Sequence, residues 1–192
     1  MITRLLISLL IFLLAANSHA ANGASADQVE LREFLQKTIS TADSFEDRFA
    51  AEVWLVDMSS RLEPFIKDHQ ERLEFLRAVH REATRAELKP DLVLALIEIE
   101  SRFDPYAISR VGAQGLMQVM PFWKNEIGRP SDNLTNINTN LSYGCRILQF
   151  YLKKEKGNWI KALARYNGSY GKYWYPEKVM TAWKRRWFVN EI

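Results

Sequence analysis

Between Gly23 and Gly112 the chain contains no glycine, and over most of that interval apolar residues recur at three- and four-residue steps. A stretch of that length without the commonest turn residue is hard to reconcile with an all-β fold, so an all-α or α-rich fold is expected. Phe45, Phe49, Val53 and Val56, with Glu46, Asp47, Arg48 and Glu52 between them, predict an amphipathic helix whose apolar stripe must cover either the back of the domain or a partner. Pro64 interrupts it, and Leu73, Leu76, Val79 and Ala83 continue the spacing in a second helix. Pro90-Asp91 is a helix start, and the run Leu92 to Ile99 that follows is apolar around nearly its whole circumference. Its β-branched residues would also suit a buried strand, but the Pro-Asp start and the helical neighbours favour a buried helix. Gly112–Pro121 and Asn133–Asn140 read as loops, and Leu141–Lys154 and Trp159–Asn167 as helices. The segment from Gly171 to Phe188 is rich in Trp, Tyr and Phe.

The first residues form a targeting pattern: Arg4, an apolar run Leu5–Ala16, and Ser18-His19-Ala20 as a cleavage point. The run is shorter than the roughly 20 residues that span a bilayer. The expectation is therefore an exported protein, soluble after removal of residues 1–20, periplasmic or associated with the cell envelope. Residues 21–44 are expected to be a flexible mature terminus, and 45–72 a helical arm ahead of a domain over 73–192. The single cysteine, Cys145, cannot form an intrachain disulfide, so the hydrophobic core must carry the fold. Lys and Arg total 26 against 23 Asp and Glu, with no basic stripe, so no nucleic-acid partner is expected.

Glu98 and Glu100 interrupt the buried run at its end. Two positions on a helix correspond to roughly 200° of rotation, so the two carboxyls face nearly opposite ways. A carboxyl at the end of an apolar helix feels both desolvation and the negative end of the helix dipole. Both hold its proton closer to neutrality, as a general acid requires. On these features alone a structural ion pair of Glu100 with Arg102 or Arg110 is a slightly better reading. Other chemistries fare worse. His69 and His80 lie on a charged helical stretch with no ligand spacing for zinc, and read as solvated surface residues. There is no Gly-x-Ser-x-Gly elbow and no glycine-rich phosphate loop. Neither a metal nor another cofactor is expected.

The stretch Glu100-Ser101-Arg102-Phe103-Asp104-Pro105 through Gly115-Leu116-Met117-Gln118-Val119-Met120-Pro121 closely resembles the signature of the soluble lytic transglycosylase (SLT) family of the lysozyme-like superfamily. In that family Glu-Ser ends a helix and Gly-Leu-Met-Gln follows in a loop. Downstream, Asn140-Leu141 with Gly144 and Leu148 is similar to the family's next helix, and Ala164-Arg165-Tyr166-Asn167 to its Tyr-Asn motif. The likeness runs from about Leu73 into the aromatic tail. Two positions depart from the pattern. Gly168-Ser169 stands where Ala-Gly is usual, and Arg165 where small residues are common.

The resemblance implies a lysozyme-like, α-rich domain that cleaves the β-1,4 bond between N-acetylmuramic acid and N-acetylglucosamine in peptidoglycan strands. It implies that Glu100 acts first as acid, then as base toward the C6 hydroxyl of the muramyl sugar, forming a 1,6-anhydro ring. Most glycosidases use a second carboxylate. The nearest one here, Asp104, precedes a proline and reads as a turn former, which leaves the substrate's own N-acetyl group and hydroxyl to substitute. Substrate contacts are implied for Ser101, Ser109, Met117, Gln118, Met120, Tyr166 and Asn167, with Tyr166 orienting the Glu100 carboxyl. The aromatic tail suits either stacking on sugar faces or packing against the arm. The arm suits either the back of the domain or an envelope-machine partner. A muramidase of lysozyme type and a non-catalytic peptidoglycan-binding envelope protein are the alternatives.

Overall fold

A computed structural model describes residues 48–189. The targeting pattern, the mature terminus and Phe45 lie outside the described residues. Among those described there are seven α-helices: α1 Arg48–Leu62, α2 His69–Arg85, α3 Pro90–Ser101, α4 Trp123–Ile127, α5 Ile137–Lys154, α6 Trp159–Tyr166 and α7 Trp174–Ala182. A π-helical turn, Trp183–Trp187, follows α7 directly. The only β-type pairing among these residues is two isolated bridges, Ile108 with Gln114 and Gln114 with Val119, which brace the long α3–α4 connection. The α-rich expectation is met.

Three helices begin at side-chain caps. Asp68 caps α2 by accepting the Glu71 amide at 2.7 Å. Asn136 caps α5 through the Thr139 amide at 3.1 Å, and Asn158 caps α6 through the Lys161 amide at 3.0 Å. The Asn136 cap corrects the loop expected over Asn133–Asn140, because its last four residues are the first turn of α5. Polar composition was misleading there. One of those polar side chains, Asn140, is buried and fully engaged.

α3 is the buried helix that its apolar circumference requires: Val93, Leu94, Ala95, Leu96 and Ile97 are all fully buried. It packs against α2, α7 and the π-helical turn. α1 packs on the domain through a stripe other than the one its sequence singles out. Phe49, Val53 and Val56 point outward, whereas Ala51, Leu55, Met58 and Leu62 are fully buried. Those four also recur at steps of four, three and four, so the helix carries two stripes, and contact with α2 and the π-helical turn selects the second. Arg61 reinforces it by donating to the carbonyls of Arg186 at 2.7 Å and Phe188 at 3.2 Å while pairing with Asp57. The boundary expected at residues 72/73 falls inside α2, and every described residue belongs to one compact unit.

Part of the aromatic tail packs on the domain, while Tyr173, Trp174 and Phe188 stay exposed. The Trp183 indole N–H donates to Asp91 Oδ2 at 2.8 Å and that of Trp187 to Glu98 Oε2 at 2.6 Å. Asp91 and Glu98 are seven residues apart, two turns along one face of α3, so the paired tryptophans pin the end of the chain to that helix. Trp187, fully buried, also joins Phe103 at 5.5 Å between centroids, and Phe103 meets Phe65 at 4.7 Å and Phe75 at 5.9 Å.

Candidate active site

Glu100 sits in the last turn of α3, which stops because Arg102 and then Phe103 adopt left-handed backbone (φ 54° and 67°). Such φ values are uncommon for residues with side chains and turn the chain sharply away from the helix axis. The Glu100 carboxyl accepts a hydrogen bond from the buried Tyr175 hydroxyl at the start of α7. Burial pushes its proton affinity up from 4.5 to about 7, and the Tyr175 hydrogen bond pulls the other way. Among the described residues no guanidinium pairs with Glu100, so the ion pair with Arg102 or Arg110 is not formed. Glu98 faces the other way, toward the Trp187 indole and the Arg186 guanidinium 3.6 Å distant.

The loop Ala107–Met120 is assembled around one side chain of α5. Asn140, 1% exposed, accepts the Met117 amide at 2.7 Å and donates to the carbonyls of Gln114 at 2.8 Å and Leu134 at 2.7 Å. A side chain at Gly115 would place its Cβ 2.4 Å from the Asn140 amide nitrogen, and the residue has φ 72° besides, so only glycine fits. Gly144 clears Met117 in the same way, with a Cβ there lying 2.4 Å from the sulfur.

The residues singled out from sequence take different positions. Gln118 has left-handed backbone (φ 47°), and its amide donates to the carbonyls of Gly115 at 2.9 Å and Ala107 at 3.1 Å. Ser109 accepts the Ala113 amide at 2.9 Å, closing the turn beside Gly112. The Ser101 hydroxyl donates back along its own helix to Ile97 O at 3.3 Å. Met120 is partly buried and Asn167 exposed. Met117 is fully buried, so its side chain packs in the core under Gly144 and does not line a groove. The Tyr166 hydroxyl donates to Met117 O at 2.7 Å, which corrects the expectation that it orients Glu100; Tyr175 does that. Asp104 accepts the Tyr106 amide at 2.8 Å, the turn role expected of it. His80 is not a solvated surface residue: its ring packs edge-on against Trp54 at 5.1 Å, and burial lowers its affinity for a proton to about 4.

Tyr175 was counted only as one aromatic of the tail, and Asn140 only as part of a motif. Tyr175 had no signal, since nothing local distinguishes it from Tyr173.

Together these features define a class: an α-helical domain built around one protonatable carboxyl, with a phenol beside it and a glycine-shaped loop after its helix. Comparison with known proteins gives it a family. The family described as "Transglycosylase SLT domain" matches residues 77–184, and the chain belongs to that family. Membrane-bound lytic murein transglycosylase C of Haemophilus influenzae is 35% identical over 95 residues, covering 42% of this chain and 27% of that protein. Its namesake from Edwardsiella ictaluri is 32% identical over 114 residues, covering 51% and 32%. The X-ray structure of an inactive mutant of lytic transglycosylase Slt from Pseudomonas aeruginosa is 28% identical, covers 62% of this chain and 19% of that one, and superposes with a TM-score of 0.45. The chain thus spans about a third or less of these relatives' length.

Proposed function

We propose that the protein is a peptidoglycan lytic transglycosylase that cleaves the β-1,4 bond between N-acetylmuramic acid and N-acetylglucosamine. The observation that carries this reading is the state of Glu100: a lone carboxyl that burial holds protonated to about pH 7, within an SLT-family sequence. It donates its proton to the glycosidic oxygen as the bond from C1 to that oxygen breaks. The resulting carboxylate then accepts the proton of the C6 hydroxyl as that oxygen bonds to C1, closing the 1,6-anhydro ring and restoring the acid. A group that must give and then take one proton works best with an affinity near the ambient pH. Burial and the Tyr175 hydrogen bond alone set that affinity, and no second carboxylate contributes to it. The place of a partner carboxylate is taken by the substrate's N-acetyl group and hydroxyl.

Ser101, Ser109, Gln118, Met120, Tyr166 and Asn167 are assigned to the surroundings of the sugar, Gln118 through its carbonyl oxygen and Tyr166 indirectly through Met117 O. Location in the cell envelope follows from the targeting pattern and accords with relatives named membrane-bound. Among the described residues no helix is long and apolar enough to cross a membrane. The outward face of α1 is assigned to an envelope partner. Mass spectrometry of the fragments released from purified peptidoglycan tests the activity. Ends one water lighter than the hydrolysed form are expected; hydrolysed ends would make the protein a muramidase, and bound but uncut strands a binding protein.

A further inference from the structure

The loop between α6 and α7 has both ends fixed at the candidate site: Tyr166 on Met117 O before it, and Tyr175 on Glu100 after it. Between them the chain reverses at Gly168 (φ 74°), with the Gly168 amide on Arg165 O at 3.1 Å and the Ser169 amide on Ala164 O at 2.8 Å. The Lys172 amide, on Ser169 O at 2.9 Å, closes the second turn next to Gly171 (φ 84°). This double turn carries Tyr170 back over α6, where its ring lies 3.8 Å from the Arg165 guanidinium carbon. Arg165 is held in turn by an ion pair from its Nε to Glu155, a carboxylate that is 9% exposed. The residue that departs from the family's small side chain is therefore the support under an aromatic ring. That ring remains 52% exposed.

An aromatic ring clamped on one face and open on the other costs apolar exposure and gains nothing for the fold on its open side. It is, however, already ordered for a flat apolar partner, so binding there loses little side-chain freedom. The C–H face of a pyranose has that shape and chemistry. Resting on the peptidoglycan reading above, we propose that Tyr170, backed by Arg165, is a glycan-binding platform that holds a sugar ring of the strand away from the bond being cut. The ligand class is a β-1,4-linked N-acetylhexosamine chain long enough to reach from Glu100 to the α6–α7 loop. Arg165 is a positioning residue and touches no sugar.

The test is calorimetric titration of the full chain with chitohexaose and chitotriose, for the wild type, Tyr170→Leu, Tyr170→Phe and Arg165→Gln, with melting curves to verify the fold. Tyr170→Leu should weaken chitohexaose binding about five-fold, as expected for loss of one exposed stacking contact, and leave chitotriose unchanged. Tyr170→Phe, which keeps the flat ring, should bind like the wild type, and Arg165→Gln should weaken the hexamer alone. Should Tyr170→Leu melt early, the Phe and Arg165 variants decide by themselves. Equal hexamer affinity in the wild type, Tyr170→Leu and Arg165→Gln would overturn the platform, as would a loss shared by both oligomers, a Phe variant as weak as Leu, or a wild type that does not distinguish hexamer from trimer. Fragment analysis of the wild type judges the transglycosylase reading separately, so failure of one leaves the other standing.

Discussion

Replacing Glu100 by Gln should abolish strand cleavage and, at alkaline pH only, make the protein more stable. The native carboxyl holds its proton to about pH 7, against an ordinary value of 4.5. Between those values the folded state binds more protons than the unfolded state, so stability falls as pH rises through that window. Below 4.5 both states are protonated and Glu100 costs nothing; above 7 the folded protein bears a buried charge. The interval corresponds to a loss of about 3 kcal/mol, at roughly 1.36 kcal/mol per pH unit. Glutamine keeps an oxygen to accept the Tyr175 hydroxyl and has no charge to bury. Urea unfolding of wild type and Glu100→Gln at pH 4 and pH 8.5 measures the difference. The variant should gain on the wild type by about 3 kcal/mol between the two conditions, a large share of the 5–15 kcal/mol typical of a domain. Stability curves that run parallel across pH would refute the buried-acid account, and wild-type turnover in the variant would remove Glu100 from the chemistry.

Tyr175→Phe removes the hydrogen bond that lowers the proton affinity of Glu100, so the alkaline limb of the activity profile should move to higher pH; an unmoved limb would show that Tyr175 does not tune the acid. Asn140→Leu leaves the Met117 amide and the carbonyls of Gln114 and Leu134 without their partner, at about 1–3 kcal/mol for each that stays buried. Its melting temperature should fall sharply, and a variant as stable as the wild type would mean that the loop finds other partners. Truncation to Asp68 removes Leu55, Met58 and Leu62, all fully buried, at roughly 1.5–3 kcal/mol each. The shortened chain should be insoluble or lack a cooperative unfolding transition, and a soluble active fragment would return α1 to the status of an appendage.

The sequence made some elements legible and left others hidden, for identifiable reasons. α3 was readable because a helix that is apolar on all sides has only one place to go, and the Glu98/Glu100 opposition follows from helical rotation alone. α1 was legible as a helix but not in its orientation. Both of its stripes satisfy the period, and only contact with α2 and the π-helical turn selects between them. The Asn-rich approach to α5 was misread because polar composition says nothing about which amide becomes a cap and which is buried. Glu100 was found through its motif; its phenolic partner came from 75 residues away, and no local pattern could supply it.

The different fates of Glu98 and Glu100 follow from that same distant segment. Both lie in the last turns of α3, where the helix dipole disfavours a negative charge. Glu98 receives an indole N–H at 2.6 Å and lies 3.6 Å from the Arg186 guanidinium. Glu100 receives one phenol, whose hydrogen bond does not make up for the water lost on burial. Since α7 and the π-helical turn are continuous, the tryptophans that fasten the turn to Asp91 and Glu98 also hold α7, and with it Tyr175, against the end of α3. The C-terminal segment thus supplies an indole and a guanidinium to one carboxyl of the helix and a phenol to the other. A carboxyl that burial keeps protonated toward neutrality marks a candidate acid–base site. In this chain it is the aromatic tail that gives the two carboxyls different partners.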